Sequence, residues 1–234
     1  MDRWVQILLS KQEVLSAIER ALDQNFIDNL RKRHPNVQID SKIRGYVGEI
    51  AFKKWMKKNG IHFNSCNRLD ESGTMDIDFI FKSEGKTTEL ELKTSLLPDA
   101  DQYLENFVQK RDIKLIRRGN EPIEKLHADI HVQFAFNQLR LRKDQWLKER
   151  EINLKSDPLV IYDQIAAHRY CRDTYFIGWI DKNSLVQQIQ SKAKHLQKWK
   201  YGKREFWTCN LQSESKKPQE LVSYLKELTK DKTE

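Results

Sequence analysis

Between residues 87 and 94 the chain reads Thr-Thr-Glu-Leu-Glu-Leu-Lys-Thr. A strand there sends Leu90 and Leu92 to one side and Glu89, Glu91 and Lys93 to the other. Three charges on one face are either the wet face of an exposed sheet or a site. The preceding run, Asp76-Ile77-Asp78-Phe79-Ile80-Phe81, alternates with the same period, and Ser83-Glu84-Gly85-Lys86 between the two is a turn signal. Centring the turn on Glu84-Gly85 sets Asp78 opposite Glu91 and Asp76 opposite Lys93. Two carboxylates that face each other across a sheet are destabilising unless something positive binds between them. A divalent cation answers that need. Mg²⁺, with Mn²⁺ as a substitute, prefers a few carboxylate oxygens, waters and substrate phosphate oxygens. Lys93, beside such an ion, could polarise an attacking water or neutralise charge developing on a phosphate. A two-residue slip of register keeps every side chain on its own face and exchanges Asp78 for Asp76, so either aspartate could partner Glu91.

The elements that must position these groups follow from the same patterns. The first stretch, 11–33, is helix-like and ends in Arg31-Lys32-Arg33, with His34-Pro35 as its breaker. Asp40-Ser41 caps a second helix running to Asn59, with Gly60 as its stop and Val47, Ile50, Ala51 and Trp55 as its buried stripe. Strands are expected at 61–64, 76–82 and 87–94, a helix at 101–118, and a strand at 129–137. That last strand puts Ile130, Val132, Phe134 and Phe136 on one face. His131 and Gln133 fall on its polar face, where satisfied structural polar groups are the plainer reading. The second half continues with helices near 139–150, 158–171, 183–199 and 218–230 and strands near 175–180 and 205–211. The expected class is α/β or α+β with one central mixed sheet flanked by helices. The whole chain is read as a single domain, with 1–40 a helical extension, 41–137 a core and 138–234 its elaborations.

Asp78 (or Asp76) followed by Glu91-Leu92-Lys93-Thr94 in a hairpin, with Gly48-Glu49 on an upstream helix, resembles the PD-(D/E)XK nuclease superfamily. The order helix, three strands, helix, strand over 41–137 is similar to its restriction-endonuclease-like αβββαβ core. One departure stands out: Met75, not proline, precedes Asp76, and Ile77 precedes Asp78. The resemblance implies a metal-dependent phosphodiesterase. Asp78 and Glu91 would then be metal ligands, Lys93 the catalytic lysine and Glu49 the acidic residue of the helix.

A second group of residues suits a polyanion. Lys192, Lys194, Lys198, Lys200, Lys203 and Arg204 fall within thirteen residues and interleave with Trp199 and Tyr201. Lysines and arginines at this density track a phosphate backbone, and the aromatics offer a face for a base; a solvated helix end with a core-packing Trp is the bland alternative. Arg117-Arg118 and Arg140-Leu141-Arg142-Lys143 could extend the surface. Over all 234 residues the formal charge is +8, yet residues 1–100 hold 16 basic and 15 acidic side chains, so nearly all of the surplus lies beyond them.

Other chemistries find little support. The three cysteines (Cys66, Cys171 and Cys209) are too far apart for a metal knuckle or a disulfide framework, and the six histidines form no HExxH or HxH cluster. No phosphate-binding glycine loop or nucleophile elbow is present. No apolar run approaches a membrane span, and the short N-terminal apolar run does not read as a signal peptide. These observations lead to the expectation of a soluble, cytoplasmic Mg²⁺-dependent DNA endonuclease, with restriction or defence in a prokaryote as the preferred setting. Junction resolution and DNA repair are neighbouring roles, RNA is a weaker substrate, and a homodimer would suit the cutting of both strands. The alternative class is a nucleic-acid-binding protein that uses the same scaffold without catalysis.

Overall fold

The computed structural model describes residues 3–23, 34–65, 77–83, 86–117, 120–137, 143–191, 196–198 and 205–229. A short strand β1 (Val5–Gln6) leads into helix α1 (Lys11–Asp23) and then the long helix α2 (Pro35–Lys58). Strands β2 (Asn64–Ser65), β3 (Phe79–Ser83) and β4 (Lys86–Leu96) follow, then helix α3 (Leu104–Lys110), β5 (Asp112–Arg117) and β6 (Ile130–Phe136). The second half adds α4 (Lys143–Lys148), α5 (Pro158–Gln164), β7 (Thr174–Asp181), α6 (Lys182–Gln190), β8 (Leu196–Lys198), β9 (Glu205–Asn210) and α7 (Pro218–Thr229).

Six strands form one mixed sheet in the order β1-β7-β6-β4-β3-β2, in which only β4 and β6 run parallel. The alternating patterns explain its two faces. Leu90 of β4, Ile130, Val132, Phe134 and Phe136 of β6 and Phe176 of β7 pack against Val47, Ala51, Phe52 and Trp55 of α2. There the Phe52 ring meets Phe79 edge-on at 5.1 Å and Phe134 stacks on Phe176 at 5.1 Å. The opposite face carries Ala135, Ile177 and Ile180 into a second cluster with Phe107, Ile113, Leu115, Leu185, Trp207 and Cys209. A second, antiparallel sheet, β5-β9-β8, supplies part of that cluster. Among the described residues no helix is long and apolar enough to cross a membrane.

Three expectations give way. The helix expected over 101–118 is only Leu104–Lys110, and residues 112–117 pair with β9, some 90 residues on. Asp101 is no helix opener: it is buried, and both its oxygens take the Arg111 guanidinium at 2.7 and 2.8 Å. The helix expected at 183–199 ends at Gln190, and 196–198 is a strand.

The start of α2 also moves. Pro35 begins this helix, because a first-turn proline lacks only an N–H that would have had no intrahelical partner; residues 24–33, where the first helix was expected to end, lie outside the described residues. His34 is the cap, its Nδ1 accepting the Asn36 N–H at 3.3 Å. Asp40 is therefore an interior residue of α2, 1% exposed. It accepts from Tyr170 Oη at 2.6 Å, from Arg44 at 3.0 Å and from Arg169 at 3.4 Å. Gly60, at φ +68, takes the left-handed position after the helix that the sequence assigned it.

Candidate metal centre

The hairpin has the expected register. Phe79 pairs with Leu90, Ile80 with Glu89 and Ser83 with Lys86; the ladder ends there, and Asp78 is the residue just before it. The Asp78 N–H still bonds Leu90 O at 3.0 Å, but β3 goes no further, and Leu92 N–H would have lost its partner. The Asp78 carboxylate takes that place, with Oδ2 accepting from Leu92 N at 2.6 Å. The end of one strand thus fixes the aspartate beside its neighbour's acidic face. Asp76 lies outside the described residues.

Glu91 and Lys93, two apart on β4, share the face away from α2, and the Lys93 ammonium contacts Glu91 Oε1. The parallel register adds a residue that the polar-face reading had set aside. Glu91 pairs with His131 and Lys93 with Gln133. His131 Nδ1 lies 3.0 Å from Glu91 Oε2, and the imidazole is fully buried. Gln133 is structural: its amide nitrogen bonds Phe134 O at 2.6 Å and reaches Lys93 O at 3.3 Å. A buried histidine registered beside the central glutamate was recognisable only once β4 and β6 were known to be parallel neighbours.

Glu49 comes from α2, and its charge acts on Asp78. Gly48, one residue before it, lets α2 approach β4 closely. A Cβ built on Gly48 would fall 2.6 Å from Thr94 Cγ2 and 2.9 Å from Leu92 Cδ2. At an ordinary helical position Gly→Ala gains about 1 kcal/mol. Here overpacking of about 1–3 kcal/mol outweighs it. Gly48→Ala is therefore expected to lower the melting temperature, and Thr94→Ser in the same chain, which removes the obstructing methyl, to restore part of the loss. Strictly additive losses would show that the two groups do not meet. Glu49 is not idle: it pairs with Arg20 of α1 at 3.2 Å, and Lys53 is near it. Neither cation was singled out from sequence, because each sits on an ordinary charged helix face.

The electrostatics of the three carboxyls differ. Burial pushes Asp78 up from 3.8 to about 8, and the Glu49 and Glu91 carboxylates push the same way against the Leu92 hydrogen bond and Lys93. Burial also raises Glu49, with Arg20 and Lys53 opposing it. For Glu91 burial acts upward too, but Lys93 and His131 together overcome it and hold the carboxyl at about 2. One carboxylate is well compensated while its neighbour is poorly so.

That contrast makes a prediction for protein kept free of divalent metal. Because Asp78 titrates higher folded than unfolded, its neutral form contributes stability that is fully present below about pH 4 and lost as pH rises through about 8. Glu91 has the opposite sign, its contribution holding above its usual 4.5 and failing as pH falls towards 2. Asp78→Asn, permanently neutral and still able to accept from Leu92, should melt higher than the parent at pH 8.5 in EDTA. The gain should be on the order of 1 kcal/mol, or about 3 °C, and should vanish at pH 4.5. A gain of equal size at both pH values would refute this origin.

Among the described residues no three His, Cys, Asp or Glu side chains are grouped as a ready-made cation cage. The proposed nucleic-acid contacts Lys192, Lys194, Trp199, Lys200, Tyr201, Lys203 and Arg204 lie outside the described residues, and Lys198 enters only through its backbone in β8. No family model, no curated protein and no solved structure matches the chain.

Proposed function

We propose that the chain is a Mg²⁺-dependent endodeoxyribonuclease of the PD-(D/E)XK kind, hydrolysing phosphodiester bonds in DNA. The observation that supports this reading is the hydrogen bond from Leu92 N to Asp78 Oδ2 at 2.6 Å, which holds the aspartate against the strand that carries Glu91 and Lys93. The chain order supports it: helix α2, strands β2, β3 and β4, helix α3, then β6 returning parallel to β4. The interposed strand β5 belongs to the second sheet and decorates that plan.

The donor set fits a hard dication. Asp78 and Glu91 present carboxylate oxygens only, and Asp78 is a poor anion next to Glu49 and Glu91 until positive charge arrives. Asp78 and Glu91 would hold Mg²⁺ (Mn²⁺ as a substitute), with Glu49 as an outer acidic group. Bound there, the ion supplies a water acidic enough to attack at neutral pH and offsets charge on the phosphate. Lys93 brings a cation to the same face, where it neutralises charge developing on the phosphate oxygens and orients the water. His131 fixes Glu91 by its second oxygen. The basic surplus beyond residue 100 provides charge to track a nucleic-acid backbone, and restriction or defence is the setting we favour.

The test is incubation of supercoiled plasmid with the protein in Mg²⁺, Mn²⁺ or EDTA. Nicking with either metal and none in EDTA is the expected result; a matched RNA substrate reports the sugar preference. A second reading, a DNA-binding protein on the same scaffold without catalysis, is favoured by one observation: both Glu91 oxygens are already engaged by side chains. Binding without cleavage of any substrate would select it.

A further inference from the structure

The two partners of Glu91 are unlike in kind. His131 belongs to the sheet interior: it is fully buried and registered against Glu91, its Nδ1 3.0 Å from Oε2. Its Nε2 is buried and has no hydrogen-bond partner among the described residues. A proton on that nitrogen would be an unsatisfied buried donor, so the proton belongs on Nδ1 and is donated to Glu91. Any rotation of the ring would forfeit its one hydrogen bond without gaining another.

Lys93 is the opposite case. Its side chain keeps 21% of its surface exposed, against 12% for Glu91. It reaches Oε1 from two residues along the same strand on a flexible four-carbon stem. Of the two partners only the ammonium reaches the edge of solvent, where water can take the carboxylate's place.

We propose that the centre loads by exchange. A divalent cation takes the place of the Lys93 ammonium at Glu91 Oε1, while His131, a positioning residue, keeps Oε2 in place. The released Lys93 turns to the substrate phosphate. The inference rests on the nuclease reading and adds a rule for how its site is governed. Lys93 opposes the metal while no substrate is present and supports it once a phosphate offers the ammonium another anion. Metal and nucleic acid then favour each other's binding through one side chain, and the coupling is reciprocal.

The test needs no turnover. Uptake of Mn²⁺ by the full chain, without nucleic acid and at fixed pH, is read from loss of the free-ion electron paramagnetic resonance signal. Removing the competing charge in Lys93→Met is expected to tighten uptake roughly tenfold. His131→Leu should weaken it by about tenfold or more. His131→Asn, whose amide N–H can stand in for Nδ1–H, should recover much of that loss, which a general packing defect would not. Circular dichroism melts of each variant establish that the folded state is being compared.

Equal or weaker uptake by Lys93→Met overturns the exchange, and unchanged uptake by His131→Leu removes His131 from its role. If wild-type protein takes up Mn²⁺ and nicks plasmid, either failure leaves the nuclease reading standing. Absence of both uptake and nicking defeats that reading, and the exchange with it.

Discussion

Glu91→Ala and Lys93→Ala are each expected to lower metal-dependent plasmid nicking on the order of a thousandfold. Glu91 is the residue on which the centre converges, touching Lys93 through one oxygen and His131 through the other. Alanine there removes the proposed metal ligand and takes from the Lys93 ammonium and the buried imidazole N–H the carboxylate they share. Some stability is lost as well, so the Glu91 result is read beside its melting curve. Lys93→Ala is the cleaner variant, since a partly exposed lysine loses little packing. The double variant should be no worse than the worse single one, because residues that act as a unit do not contribute additively. Full activity in either single variant would remove these residues from the reaction.

The second large effect is on stability. Asp40 receives Tyr170, Arg44 and Arg169 in the interior, and Arg44 Nε and Arg169 Nε are already without partners among the described residues. Asp40→Ala would leave two guanidiniums facing a void with no counter-charge. Breaking a buried pair by removing one partner costs about 3–5 kcal/mol. For a chain of this size that is a fall of about 10 °C in melting temperature. Asp40→Asn, which keeps an acceptor for Tyr170 Oη, should lose less. A loss below about 1 kcal/mol for Asp40→Ala would mean that water or a shifted acid replaces the carboxylate.

The candidate centre was the most legible part of the sequence because it depends on local rules. Alternation told which side chains of β4 share a face, and a turn placed between the two runs predicted the pairing of Phe79 with Leu90 and of Ile80 with Glu89. Long-range pairing was hidden. Ile113 and Leu115 alternate in β5, but Ile116 breaks the pattern, and the partner strand lies near residue 210. His131 looked like any polar residue on a half-wet strand until the crossover brought it beside Glu91. Pro35 shows a different difficulty: the second helix starts at Pro35 with His34 as its cap, some five residues before the Asp40-Ser41 that its sequence suggested. Asp40 was read as a cap from its type, while its true partners, Arg169 and Tyr170, are some 130 residues away.

The end of β3 one residue short of Asp78 also bears on how the chain folds. The contact from Asp78 to Leu92 spans 14 residues, whereas the one from His131 to Glu91 spans 40. Closing the longer loop is entropically dearer and later. The hairpin therefore brings Asp78 onto the strand that carries Glu91 before the histidine that steadies Glu91 has arrived. The interval in which Glu91 lacks its histidine is set by the length of the crossover, not by the hairpin.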